Sequence, residues 1–216
     1  MTNAPDRAQT TAGPTIGFDL DMTLVDTRPG IRETYLALAA ETGVEIDADL
    51  AVSRLGPPLT WEMDHWFPKD AIPGAVRRYR ELYPDHAVTT SPLLPGAAEA
   101  LAAVRDAGGR SMVVTAKIAV NARMHMDFLG LTPDLLVGDL WAEAKGEALR
   151  EQGATVYVGD HLGDIRGAHS AGALAVSVPT GPFDARELED GGADVVLPGG
   201  LKDFPAWLDG HLAAAR

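Results

Sequence analysis

The chain has 216 residues, 46% of them hydrophobic and 23% charged, which suits one soluble domain with a large insertion or two small domains and is long enough for a sizeable core. Its 18 basic and 31 acidic residues give a formal net charge of -13, which argues against nonspecific binding to nucleic acid or to an anionic membrane. It contains no cysteine, so disulfides, thiolate nucleophiles and cysteine-zinc sites are excluded, and no apolar run approaches membrane-spanning length.

In chain order, residues 1–14 are polar, lack the apolar centre of a signal peptide and read as a disordered leader on a cytoplasmic protein. Thr15 to Leu20 reads as a short buried strand, followed at its end by two carboxylates, Asp19 and Asp21, and by Thr23. Arg28 to Thr42 has Ile31, Tyr35, Leu38 and Ala39 on one face, as in a helix, and Gly43 ends it. From there to about Thr90 the pattern is helical, with fragments at 47–54, 59–66 and 71–83, and rich in aromatic residues and proline. Ser91 to Gly96 reads as a linker, with Pro95 near the first turn of a helix that runs to Ala107 and stops at Gly108-Gly109.

Strands are then expected at 111–115, 135–137, 155–158, 173–178 and 194–197. They alternate with helices at 119–129, 143–152, 165–171 and 201–208. That alternation predicts an α/β fold: a Rossmann-like, doubly wound parallel sheet with helices on both faces and an inserted small helical domain. The expected division is a leader over 1–14, a core over 15–27 and 92–216, and a helical cap over 28–91.

Ligands of open parallel sheets bind in the crevice beyond the carboxyl ends of the strands. The residues expected there are Asp19 and Asp21, then Thr115, then Asp160 and Asp164, with Lys145 one helix and a loop earlier than Asp160. Carboxylates with a hydroxyl and a lysine suit phosphoryl transfer. Aspartate attacks phosphorus, magnesium relieves the crowding of anions, and a second carboxyl moves the proton of the leaving oxygen. Each residue alone has an ordinary structural explanation as a turn, a helix cap or a solvated lysine. Four such signals in order, each at an element end, carry the functional reading.

Asp19-Leu20-Asp21-Met22-Thr23 resembles the DxDxT motif of the haloacid dehalogenase superfamily. Val113-Val114-Thr115, Lys145 and Gly159-Asp160-His161-Leu162-Gly163-Asp164 resemble its other three motifs in order and spacing. The insertion, together with 93–96 and 168–172, resembles the phosphoglycolate-phosphatase-like branch with a helical cap. The resemblance implies Asp19 as nucleophile and magnesium ligand, and Asp21 as general acid/base with its backbone carbonyl on the metal. It implies Thr115 and Lys145 as holders of the phosphoryl group, Asp160 as a further magnesium ligand, and Asp164 as a support for the inner ligands. Relatives that remove halides lack the acid at the place of Asp21, so the expected activity is that of a magnesium-dependent phosphatase acting on a small phosphorylated metabolite. The alternatives are a phosphosugar mutase and a catalytically idle metabolite-binding protein. Met22, Ala116 and Gly146 depart from the usual Gly, Asn and Pro; Met22 is expected to narrow the entrance or alter the loop, and Ala116 to remove a side-chain donor.

Other residues have bland expectations. Lys117 and Arg123 read as a solvated face, and Arg54 to Leu59 as either a substrate-facing loop or a simple turn. Trp61 and Trp66 are expected to pack the helical segment or its face toward the core. His65, His86, His125 and His169 lack metal-ligand spacing. Oligomeric state is not readable from the chain.

Overall fold

The computed structural model describes residues 13–215. The expected leader lies outside them except for Gly13 and Pro14, and the Pro14 carbonyl accepts a hydrogen bond from the Arg110 amide at 2.8 Å. Six parallel strands form one sheet: β1 (Thr15–Phe18), β2 (Arg110–Val114), β3 (Leu135–Val137), β4 (Ala154–Gly159), β5 (Leu174–Ser177) and β6 (Val195–Val196), in the order β3-β2-β1-β4-β5-β6. The direction of winding reverses at β1, which has β2 on one side and β4 on the other. A crevice opens at such a reversal, beyond the carboxyl ends of the strands.

The strands are buried on both faces, so their two sets of alternating side chains enter two cores. On one face Ile16, Phe18, Val113, Val156 and Val158 pack on α5 (Ala97–Asp106), α6 (Ala119–Leu129) and α10 (Phe204–Ala214), with Phe18 and Phe204 edge to face at 5.2 Å. On the other face Met112, Val114, Tyr157 and Ala175 pack on α7 (Lys145–Glu151), α8 (Leu162–Ala171) and α9 (Ala185–Asp190). Burying an apolar side chain of this size contributes about 1.5–3 kcal/mol. No helix among the described residues is long and apolar enough to cross a membrane.

A third apolar cluster lies between β1 and α5 in sequence. It is built by α1 (Arg28–Thr42), α2 (Ala48–Ser53), α3 (Leu59–Met63) and α4 (Ile72–Ala87), around Tyr35, Leu38, Met63, Tyr79 and Tyr83. The helix-period face expected for α1 is the buried one, and Gly43 closes it with left-handed backbone.

Several boundaries differ from the sequence expectation. β1 stops at Phe18 and not at Leu20, because the Leu20 carbonyl takes hydrogen bonds from the amides of Leu24 and Val25, both at 3.0 Å, and curls the chain into a loop. α4 continues through Pro84 to Ala87 because buried Tyr83 and Ala87 hold its last turn in place despite the missing donor. α8 begins at Leu162 and not at Ile165. His161 Nδ1 accepts from the Gly163 amide at 2.9 Å and the Asp164 carboxylate accepts from the His161 amide at 3.1 Å, which caps the helix there. α9 was not expected; Asp184 and Glu187 cap it reciprocally, each side chain accepting from the other's amide. A 3-10 turn, Ala142–Ala144, precedes Lys145 where one continuous helix was expected.

Gly146, which departs from the usual Pro, allows a close helix contact. A Cβ there would strike the Ser170 hydroxyl on α8, which would have to turn aside.

Candidate active site

Asp19, Thr115 and Asp160 each follow one of the three adjacent strands β1, β2 and β4, so the sheet order itself gathers them. The Asp19 amide donates to the Val158 carbonyl at 2.8 Å, which ties the first carboxylate to the neighbouring strand. Ligand oxygens of Asp19, Asp160 and Asp164 lie within 4.8 Å of one another, all in buried residues.

Lys145 enters this cluster from the start of α7. Its ammonium donates to Asp19 Oδ1 at 2.9 Å, to Asp164 Oδ1 at 2.7 Å and to the Tyr157 hydroxyl at 2.8 Å. Three protons have three acceptors, so the position of Nζ is fully specified. Tyr157 in turn donates to the Val114 carbonyl at 2.7 Å, and the Thr23 hydroxyl donates to Asp160 Oδ1 at 2.9 Å. Asp164 also accepts from the His161 amide at 3.1 Å, so it braces both Lys145 and the loop that carries Asp160.

Three carboxylates against one ammonium leave an excess of two negative charges in a buried site. Burial, and then the charges of Asp164 and Asp21, push Asp19 up to about 7 against the pull of Lys145. Burial and its acidic neighbours likewise hold Asp160 well above the usual carboxylate range. Lys145 is raised despite burial, because Asp164 and Asp19 outweigh desolvation. An all-oxygen donor set with this charge deficit fits a hard divalent cation such as magnesium.

Asp21 has different surroundings. The Thr27 hydroxyl donates to its Oδ1 at 2.6 Å, and the Lys117 ammonium stands 3.1 Å from the same oxygen. Burial opposes ionisation of Asp21, yet Lys117 and Thr27 prevail and hold it below the usual range. Lys117 is not the solvated lysine that its loop position suggests. Its ammonium lies 4.5 Å over the ring of Tyr83 from α4, and its side chain is almost fully buried. Arg123 is exposed, as expected.

Behind this pair the Tyr83 hydroxyl and Nε2 of His125 are hydrogen-bonded at 2.8 Å, and His125 Nδ1 has no partner among the described residues. Burial and then the charge of Lys117 press His125 from 6.5 down to about 4. The unfolded chain therefore binds a proton at His125 first as the pH falls, so this residue removes stability between about 6.5 and 4. Replacing it as His125→Gln, which can still bond Tyr83, is expected to give a variant that gains on wild type by about 2 kcal/mol between pH 7 and pH 4.5. Urea unfolding at the two pH values checks this; an identical difference at both would refute it.

Met22 does not narrow any entrance. It is buried, its φ of 59° is left-handed, and its carbonyl accepts from the Thr180 hydroxyl at 2.5 Å. The usual glycine would adopt that backbone without strain, so the departure burdens the loop and leaves the cavity open. Thr115 is buried just beyond β2, and its hydroxyl accepts from the Lys117 amide at 3.2 Å. Ala116 lines the cavity without a side-chain donor.

That cavity, about 380 Å³, opens from Asp21 between α1–α4 and the loops after β2 and β3. Arg54 to Leu59 all line it, which resolves that loop as facing the site. Gly56 comes so near His161 that a Cβ would strike the imidazole, which brings the α2–α3 loop against the fourth motif. Trp66 packs at the edge of the helical cluster and Trp61 points toward the core, where its ring lies 6.5 Å from that of Trp141.

Of the expected residues the structure gathers Asp19, Lys145, Asp160 and Asp164 in one cluster and sets Asp21 apart with Thr27 and Lys117; the contacts of Lys117, Tyr157, Thr27 and Tyr83 were not expected. Tyr157 left one trace, a lone hydroxyl in an otherwise apolar strand core.

Comparison with known proteins gives consistent findings. A family profile described as haloacid dehalogenase-like hydrolase matches residues 16–169. The phosphoglycolate phosphatase of Caulobacter vibrioides is 30% identical over 206 residues, covering 86% of each chain. Among solved structures, a haloacid dehalogenase-like family protein from Streptococcus pneumoniae superposes with a TM-score of 0.77 at 24% identity, over 94% of this chain and 99% of that one. A predicted phosphatase from Clostridium acetobutylicum gives 0.79 at 20% identity, over 93% and 100%.

Proposed function

The chain belongs to the haloacid dehalogenase-like hydrolases, in their phosphoglycolate-phosphatase-like branch, and on that premise we propose that it is a magnesium-dependent phosphatase of a small phosphomonoester that works through a phosphorylated Asp19. The observation that carries this reading is the unlike setting of two neighbouring acids. Asp19 sits in an anionic cluster held by Lys145, while Asp21 lines the cavity in the grip of Thr27 and Lys117. Two carboxyl groups with unlike environments divide the roles of nucleophile and proton carrier.

In the first step an oxygen of Asp19 attacks phosphorus, the ester P–O bond breaks, and Asp21 gives its proton to the departing alkoxide. In the second, water attacks the phosphorus of phospho-Asp19, Asp21 takes the water proton, and Asp19 is released as carboxylate with inorganic phosphate. Lys117 favours the ionised Asp21 that the second step needs, and an incoming phosphate dianion raises the same group toward the protonated form that the first step needs. Thr115 holds a phosphoryl oxygen, while Lys145, whose three protons are already placed, orients Asp19 and offsets phosphoryl charge across it.

Asp19, Asp160 and the Asp21 carbonyl would hold magnesium, whose chemistry there is to offset the charge of the phosphoryl oxygens. We assign 15–27 and 92–216 to the core domain and 28–91 to a cap that closes over the cavity and excludes water.

The test is inorganic phosphate release from a panel of phosphomonoesters with magnesium and with EDTA. Release is expected with the metal, to fall by more than about a hundredfold with EDTA, and to return when magnesium is restored. Release indifferent to EDTA would refute the metal dependence. Isomerisation of a phosphosugar with little free phosphate would point to a mutase.

A further inference from the structure

We infer, resting on the phosphatase reading above, that the alcohol part of the substrate is uncharged and carries an aromatic ring seated against the edge-to-face pair of Trp61 and Trp141. The cavity beside Asp21 holds about 380 Å³, within the range of pockets that enclose a drug-sized ligand and well beyond a two-carbon acid.

Its charges are already matched. Among the described residues the cavity is lined by the cations Arg54, Arg80 and Lys117 and by the carboxylates Glu62, Asp139 and Asp21. Arg54 forks onto Glu62 with contacts of 2.5 and 3.0 Å, Lys117 stands 3.1 Å from Asp21, and Arg80 reaches Asp139 at 3.5 Å. Glu62 is further fixed by the Trp66 indole at 2.8 Å. Three cations against three carboxylates leave no surplus positive charge for a carboxylate on the substrate, such as that of glycolate. A neutral group needs none.

The rest of the wall is mostly apolar and aromatic, with Thr60, His65 and Asn121 as its other polar side chains. Trp61, on α3, keeps 59% of its surface exposed at the mouth, a large apolar side chain that an occupant of the cavity would cover. Trp141 opposite it is held rigidly: its indole rests on Gly163, where a Cβ would press into the ring, and meets the His161 ring edge to face at 5.0 Å. His161 meets Phe183 at 4.8 Å in the same manner. One tryptophan thus belongs to the helical segment and the other to the core, and a planar ring lodged against both would bridge the two while its leaving oxygen lies toward Asp21, which lines the cavity. Offset and edge contacts with both indoles are the geometry that aromatic rings prefer.

Ethyl phosphate, phosphoglycolate and 2-phenylethyl phosphate share a primary aliphatic leaving oxygen, so differences among them report chiefly on the pocket. With magnesium, kcat/KM for 2-phenylethyl phosphate is expected to exceed that for each of the other two by about tenfold or more. Trp61→Ala is expected to shrink the phenylethyl-to-ethyl ratio by about tenfold, and Trp61→Phe to restore most of it. Phosphoglycolate as the best of the three, or a Trp61→Ala variant that keeps the wild-type ratio, would overturn the inference. If none of the three is hydrolysed, turnover cannot rank them, and the pocket is then tested by tryptophan fluorescence with 2-phenylethanol and with glycolate. Quenching by the phenyl alcohol that Trp61→Ala weakens upholds the aromatic subsite; a response to glycolate alone, or to neither, overturns it.

Discussion

Asp19→Asn is expected to lower phosphate release by about 10⁴-fold or more while leaving the fold intact. A carboxamide cannot form the acyl phosphate, and no neighbouring group replaces it: Asp160 and Asp164 are held by Thr23 and Lys145. Stability should hold because the amide is isosteric and removes one of three crowded carboxylates. Asp19 is pushed up to about 7 by burial and its acidic neighbours, so an uncharged side chain at this place is well tolerated. Melting temperature in EDTA is expected to stay equal to wild type or to rise. Retention of wild-type turnover would refute the role of Asp19, and a large drop in melting temperature would refute the electrostatic account.

Lys145→Met is expected to have the second large effect, on stability as well as on turnover. Lys145 is 1% exposed and is the cation bonded to both Asp19 and Asp164. Removing one partner of a buried ion pair costs about 3–5 kcal/mol, since the remaining charges stay unpaired. The loss should depend on pH with a definite sign. A carboxyl whose folded pKa is raised is deprotonated first in the unfolded chain, so its contribution is present at low pH and is lost as the pH rises through the folded value. For Asp19 in the native protein that window runs from about 3.8 to about 7, and loss of Lys145, which lowers the pKa, moves it higher. Denaturant unfolding should therefore show a larger deficit at pH 8 than at pH 5, and magnesium should recover part of it. An equal deficit at both pH values would refute the charge-balance explanation. Turnover should fall by at least about a thousandfold with the loss of the ammonium that orients Asp19.

The residues missed by sequence reading share one property. Lys117 follows Thr115 in a loop, and loops are generally solvated. It is buried here because Tyr83, from a helix that precedes it by a whole strand and helix, lies against its ammonium. Trp61 was expected to pack the helical segment or its face toward the core, and only the structure shows which: it meets Trp141, 80 positions along, edge to face at 6.5 Å. Met22 was expected to narrow the entrance or to alter the loop; the curl around the Leu20 carbonyl turns its side chain inward, so it bears on the loop, where its φ is 59°, and not on the entrance.

The alternation of apolar strands with amphipathic helices is local, recurring every two or about 3.6 residues, and with it the sequence alone determined the α/β class, the order of the elements apart from α9, and the strand-end placing of Asp19, Thr115 and Asp160. Lys145 and Asp164 were legible for the same reason, as residues at helix starts beyond those strands. Only the tertiary structure decided which carboxylate Lys145 and Lys117 each neutralise, because those contacts follow from the order β3-β2-β1-β4 and from how α1–α4 lie over the crevice. No periodicity encodes them: charge pairing acts across space, and the chain brings positions 19 and 145 to within 2.9 Å only once its cores have packed.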